Sequence, residues 1–171
     1  MARLFIAIDP SSEVSSYLRS LQDGLPGKLV NSFHLTLLFL GETDVDEATF
    51  SFKKVSFERL CLSLDKRGAF PDAKRPKVLW VGLKDDEALM RLQNQIASLF
   101  PDIPKEINPF HPHLTIARVK DLGSDARQRI SAWISRHCDQ LRFEADSIRL
   151  YKSTLTPEGP VYEVISTVFA K

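Results

Sequence analysis

Residues 33–41 read Phe-His-Leu-Thr-Leu-Leu-Phe-Leu-Gly, and residues 110–120 read Phe-His-Pro-His-Leu-Thr-Ile-Ala-Arg-Val-Lys. Each holds a short apolar run closed by glycine or by charge, the pattern of a strand. Side chains alternate along a strand, so His34 and Thr36 share one face while Leu35, Leu37 and Phe39 take the other. The same parity sets His113 and Thr115 against Leu114 and Ile116. The two His-x-Thr tetrapeptides stand 79 positions apart in a chain of 171. That spacing, close to half the length, predicts two similar lobes whose equivalent strands face one cleft.

Working outward, the same order of elements is read on both sides. Arg3 to Asp9 predicts a strand, and Pro10 with two serines predicts a helix cap. Val14, Leu18 and Leu21 follow at helical spacing until Gly24, Pro26 and Gly27 stop them. After the first motif come a short helix marked by Val45, Ala48, Phe52 and Val55, a strand over 57–64, and a basic loop over 65–77. The second half opens with a strand from Lys77, then a helix on Leu89, Leu92, Ile96 and Leu99 that Pro101 ends. Beyond the second motif, Ser124 is expected to cap a helix on Ala126, Ile130, Trp133 and Ile134. A strand over 141–151 and a hairpin turning at Pro157 to Gly159 close the chain. The expectation is a single domain over 1–171, made of two similar lobes related by a pseudo-two-fold.

Composition limits what such a domain does. Twenty-three basic residues against 22 acidic leave a formal charge of +1, too little to coat nucleic acid, so any phosphate is bound locally. Cys61 and Cys138 match no metal or redox spacing and read as two reduced, buried thiols of a cytoplasmic protein. No apolar run approaches a membrane span, and no membrane partner is expected. His111 and His113 form a His-x-His pair, but Pro112 intervenes and no third ligand is evident, so no metal is expected. His137 is placed at a helix end, where an imidazolium suits the dipole.

Two imidazoles and two hydroxyls converging from opposite strands make a specific chemistry. Imidazole gives and takes protons near neutrality, and a pair holds one member neutral and the other protonated. Threonine hydroxyls donate hydrogen bonds to anionic oxygens without adding charge. A displacement at phosphorus, with proton handling on two opposite sides, fits that set.

The motifs "HLTLLFLGE" and "HPHLTIARVK", with "RLFIAID", "GAFPDAKRPKVLWVGL" and "LYKSTLTPEGPVYEVI" in the same order, resemble the RNA 2',3'-cyclic phosphodiesterases. These are long called 2'-5' RNA ligases and belong to the two-histidine phosphoesterase superfamily. The resemblance covers essentially the whole chain, and it implies an α+β fold of two pseudo-symmetric lobes, each an antiparallel sheet with outer helices, around a central cleft. It implies hydrolysis of an RNA 2',3'-cyclic phosphate end to a 2'-phosphate without metal or nucleotide cofactor, and a weak 2'-5' ligation in reverse. It implies His34 as proton donor to the departing 3' oxygen and His113 as proton acceptor from water, with Thr36 and Thr115 on the phosphate oxygens. Arg118 is similar to the family's second-motif arginine, yet strand parity turns it from His113 unless the strand bulges. Phe110 is read as a loop anchor or base-stacking ring. Lys66, Arg67, Lys74, Arg75 and Lys77 form a basic loop that is either solvated or an RNA guide. Leu38 stands where many relatives carry a basic residue.

A monomer acting on RNA ends is the expectation. The alternatives are a non-catalytic RNA- or nucleotide-binding module and a phosphodiesterase for a small cyclic nucleotide.

Overall fold

The computed structural model describes residues 1–171. Nine strands, β1 (Ala2–Ile8), β2 (Lys28–Leu29), β3 (Leu35–Thr43), β4 (Leu60–Phe70), β5 (Val78–Leu83), β6 (His113–Arg118), β7 (Arg142–Ala145), β8 (Ser147–Thr156) and β9 (Gly159–Phe169), alternate with four helices. The helices are α1 (Ser12–Leu21), α2 (Val45–Phe52), α3 (Glu87–Ser98) and α4 (Ser124–Ser135). The strands join in the order β7-β4-β5-β6-β3-β1-β8-β9, with β2 beside β6, and every pairing is antiparallel. The fold is α+β.

Apolar alternation fixes which face is covered. Leu4, Ile6, Ile8, Leu79, Val81, Ile148, Leu150 and the motif leucines join Val14, Leu18, Phe52, Leu92, Ile96 and Trp133 of the helices in one core. Phe5, Ala7 and Tyr151 lie on the opposite face in a small cluster of their own. That helix-free face lines the cleft.

The serine cap expected after Pro10 is present, and aspartates cap two further helices. Ser11 Oγ accepts from the Val14 N–H at 3.2 Å, Asp44 from Asp46 and Glu47 at 3.0 Å, and Asp86 from Leu89 at 2.8 Å. At α4 the expectation fails, because Gly123 is the cap residue without a side-chain bond and Ser124 is already helical.

Other differences have equally local causes. The strand expected over 57–64 begins at Leu60 and runs on to Phe70, because β5 supplies a partner for its polar half. Lys66 and Arg67 therefore belong to a strand. Arg67 donates to the carbonyls of Trp133 (3.4 Å) and His137 (2.7 Å) and lies over the Trp133 ring, so it serves the end of α4 rather than a loop. His137 lies beyond that helix, exposed, 3.4 Å from Asp139. Cys138 is buried as expected, while Cys61 is exposed.

The strand expected over 141–151 is two strands. β7 pairs with β4 at one end of the sheet, β8 pairs with β1 near the other, and only Asp146 lies between them. Adjacent Cα atoms are about 3.8 Å apart, so the sheet bends until its two end regions meet at this residue. No helix is long and apolar enough to cross a membrane.

Candidate active site

β3 and β6 are in ladder register at one position, Leu35 opposite Leu114. Both leucines are 0% exposed and point into the core. Their neighbours must therefore point the other way, which brings His34, Thr36, His113 and Thr115 together around one point on the cleft face. All four are half-buried. Splaying of the strands beyond this pair leaves room between the two motifs.

Both motif strands carry a β-bulge, at the third position after the histidine. Along β6 the register jumps from Thr115 opposite Trp80 to Ala117 opposite Leu79, leaving Ile116 as the extra residue. Parity reverses there, so Arg118 returns to the face of His113, opposite Val78. Along β3 the extra residue is Leu37, and Phe39 is turned to the cleft against Phe5, with ring centres 6.0 Å apart. This overturns the expectation that Phe39 shares the core face of Leu35. Its side chain is 55% exposed. Each bulge is held by a glutamine from a helix or its cap: Gln22 Nε2 donates to the Ile116 carbonyl at 3.1 Å, and Gln93 Nε2 to the Leu37 carbonyl at 3.2 Å.

The two histidines are anchored differently. His34 Nδ1 lies 3.0 Å from Asp9 Oδ1, and its Nε2 lies 3.0 Å from Ser32 Oγ. Asp9 also accepts from the Tyr151 hydroxyl at 2.7 and 2.8 Å and from the Arg149 guanidinium at 2.7 Å. Burial alone pushes the Asp9 carboxyl up, but hydrogen bonds from His34 and Tyr151 and the charges of His34 and Arg149 outweigh it and hold the group below its ordinary value. The imidazole sits among the rings of Tyr151, Tyr162 and Phe5 at 4.9, 5.1 and 5.8 Å.

His113 Nδ1 instead donates to the backbone carbonyl of His111 at 2.7 Å. A carbonyl only accepts, so the proton is on Nδ1 and the lone pair of the neutral ring is on Nε2. Burial lowers the His113 pKa, and the nearby charges of His111 and Arg118 act in the same direction against the His111 hydrogen bond. Phe70 meets the ring edge-on at 4.9 Å. The His111 ring turns away to Trp80 at 4.7 Å, and no group of three or more His, Cys, Asp or Glu side chains is arranged around a common point.

Trp80 lies across Gly68, where any Cβ would collide with the far edge of the indole. Gly68→Ala is therefore expected to displace Trp80 and the Phe70 and His113 rings beside it. The cost is about 1–3 kcal/mol in denaturant unfolding, with a loss of turnover larger than the stability change explains. Unchanged stability and turnover would contradict this packing.

A cavity of about 340 Å³ opens beside His34 between Asp9, Ser15, Arg19, Asn31 and Ser32. A larger one, about 660 Å³, lies against Phe110 and His111 at the start of α3. Asp9, Ser32, Arg149, Tyr151 and Tyr162 were not legible as site residues. Asp9 reads as the polar stop of an apolar strand, Ser32 as a loop residue before the first motif, and Arg149, Tyr151 and Tyr162 come from elements distant in sequence. Lys74, Arg75 and Lys77 remain exposed, and Asp72 caps the turn that carries the first two, accepting from the Lys74 and Arg75 N–H groups at 2.8 and 2.9 Å.

Comparison with known proteins matches the chain and its fold. The RNA 2',3'-cyclic phosphodiesterase of Methanocaldococcus jannaschii is 31% identical, the match covering 95% of this chain and 98% of that one. The protein of the same name from Archaeoglobus fulgidus is 30% identical over 94% and 96%. A crystal structure from Thermus thermophilus superposes with a TM-score of 0.78 at 28% identity, covering 98% of this chain and 97% of that chain. E. coli LigT complexed with 3'-AMP shares the fold, with a TM-score of 0.79 at 22% identity over 99% and 98%. The family model described as the 2'-5' RNA ligase superfamily matches residues 5–156, which takes in both His-x-Thr strands and their bulges, and this chain belongs to that superfamily.

Proposed function

We propose that this chain hydrolyses RNA 2',3'-cyclic phosphate ends to 2'-phosphomonoesters, with His113 as proton acceptor and His34 as proton donor. The observation that carries the reading is the unequal anchoring of two histidines flanking one strand pair. His113, neutral and with its Nε2 lone pair free, takes a proton from water as the water oxygen bonds to phosphorus. The bond to the 3' oxygen breaks, and the proton on His34 Nε2 goes to that oxygen. Thr36 and Thr115, opposite each other's histidines in the register that Leu35 and Leu114 set, hydrogen-bond the phosphate oxygens. Arg118, returned to this face by the bulge, offsets the phosphate charge. Proton transfer by imidazoles asks nothing of a metal or nucleotide cofactor. The names of the relatives support the substrate class.

We read the sheet as two pseudo-symmetric lobes of one domain, split between β6 and β3. Support comes from the strand order, from α1 and α3 each lying in the chain between a motif strand and the strand beside it in the sheet, β1 for β3 and β5 for β6, and from bulges at the equivalent residues Leu37 and Ile116.

The test is incubation of EDTA-treated protein with an oligoribonucleotide ending in a 2',3'-cyclic phosphate, the product read by 31P NMR. A 2'-phosphate is expected. Binding without turnover, or a 3'-phosphate, contradicts the proposal. Because burial lowers the pKa of His113, the base stays unprotonated below the ordinary imidazole value of 6.5. The acid limb of kcat/KM, which reports the free enzyme, is therefore expected at lower pH than 6.5, activity being lost only as pH falls through the lowered value. An acid limb above 6.5 would remove His113 from the acceptor role.

A further inference from the structure

Asp9 stands where β1 ends, and side chains from two other strands converge on it. His34 reaches it from the start of β3, and Arg149 and Tyr151 from β8, at 2.7 to 3.0 Å. Its side chain is only 31% exposed, and that of His34 13%. No comparable carboxylate meets His113, whose Nδ1 has a backbone carbonyl. A carboxylate and a carbonyl both accept from Nδ1–H, but only the carboxylate also attracts the extra positive charge of an imidazolium.

We propose that Asp9 is a positioning residue for His34, fixing its ring with Nδ1–H toward the carboxylate so that Nε2 is presented to the leaving oxygen. The proposal rests on His34 as proton donor. Arg149 and Tyr151 hold the carboxylate in turn, by hydrogen bonds to both oxygens. Ser32 Oγ, 3.0 Å from Nε2, marks where a substrate oxygen receives the proton. In the step itself one proton leaves Nε2 as the P–O3' bond breaks and its electron pair passes to that oxygen. Nδ1–H and the ionised Asp9 are unchanged, and His34 ends neutral. The titratable and charged groups facing His34 are Asp9 from β1, Arg149 and Tyr151 from β8, Tyr162 from β9 and, across the adjoining cavity, Arg19 from α1.

The test compares wild type, Asp9→Asn and Asp9→Glu with the cyclic phosphate oligonucleotide and by 15N NMR of the histidine rings. Asp9→Asn is expected to lower kcat about 10²- to 10⁴-fold with KM and the acid limb little changed, and Asp9→Glu to recover part of the loss. At alkaline pH the His34 ring of wild type carries its proton on Nδ1, and in Asp9→Asn it becomes a mixture of tautomers while His113 keeps its own. Unchanged kcat with a lost tautomer preference overturns the proposal. So does a retained preference accompanied by a raised KM and a lower melting temperature, the mark of a merely structural carboxylate. Full activity of His34→Ala in the same assay would instead break the donor reading itself, so the two failures are separable.

Discussion

His113→Ala and His34→Ala are each expected to lower kcat about 10²- to 10⁴-fold on an oligonucleotide with a 2',3'-cyclic phosphate end, the range for removal of one positioned proton-transfer group. The two losses differ in their pH dependence. Without His113 the acid limb disappears, because no titrating base remains to be protonated. Without His34 the alkaline limb disappears, because no proton-donating group remains to be deprotonated. The double variant is expected to be little worse than either single one, because the two groups act on one displacement and their effects are not additive. Circular dichroism checks that each variant folds. Substantial activity in both single variants would leave the cleft as a phosphate-binding surface without this chemistry.

The largest expected stability loss lies directly beneath the site. Leu114 is fully buried and forms, with Leu35, the sole ladder pair between β3 and β6. Leu114→Ala removes those contacts and leaves a cavity that close-packed neighbours fill only in part, at about 2–5 kcal/mol. For a domain of this size the melting temperature falls roughly 2–4 °C per kcal/mol. Phe39→Ala is the matched control, since its ring is more than half exposed and its removal should cost far less. Equal losses in the two variants would mean that the join between the motif strands is not part of the core. Turnover in Leu114→Ala at low temperature should fall as well, because the residues on either side of position 114 are His113 and Thr115.

The motif strands, the helical spacing and the closing hairpin were readable because apolar periodicity reports directly on a buried face. Arg118 and Phe39 show where that reading stops. Strict alternation put both on the core side, but a bulge costs one residue and reverses everything after it, and nothing in "HLTI" or "HLTL" announces an extra residue. The single strand expected over 141–151 failed for a related reason. Asp146 is one polar residue in an apolar alternation, and only the pairing partners reveal that the chain changes place in the sheet there. The His-x-Thr pairs were legible because they repeat. Asp9 was not, because its meaning depends on Arg149 and Tyr151, some 140 residues away.

The link at Asp146 has a mechanical consequence. The halves of the sheet are joined by β2 beside β6, by the Leu35–Leu114 pair and by this one residue between β7 and β8. Gln22 and Gln93 add ties from the helices to the carbonyls of Ile116 and Leu37 across the same seam. A body held at two points turns about the line between them, whereas further ties off that line oppose the turning. The four motif side chains therefore sit on a braced seam, and their spacing is set by the frame itself.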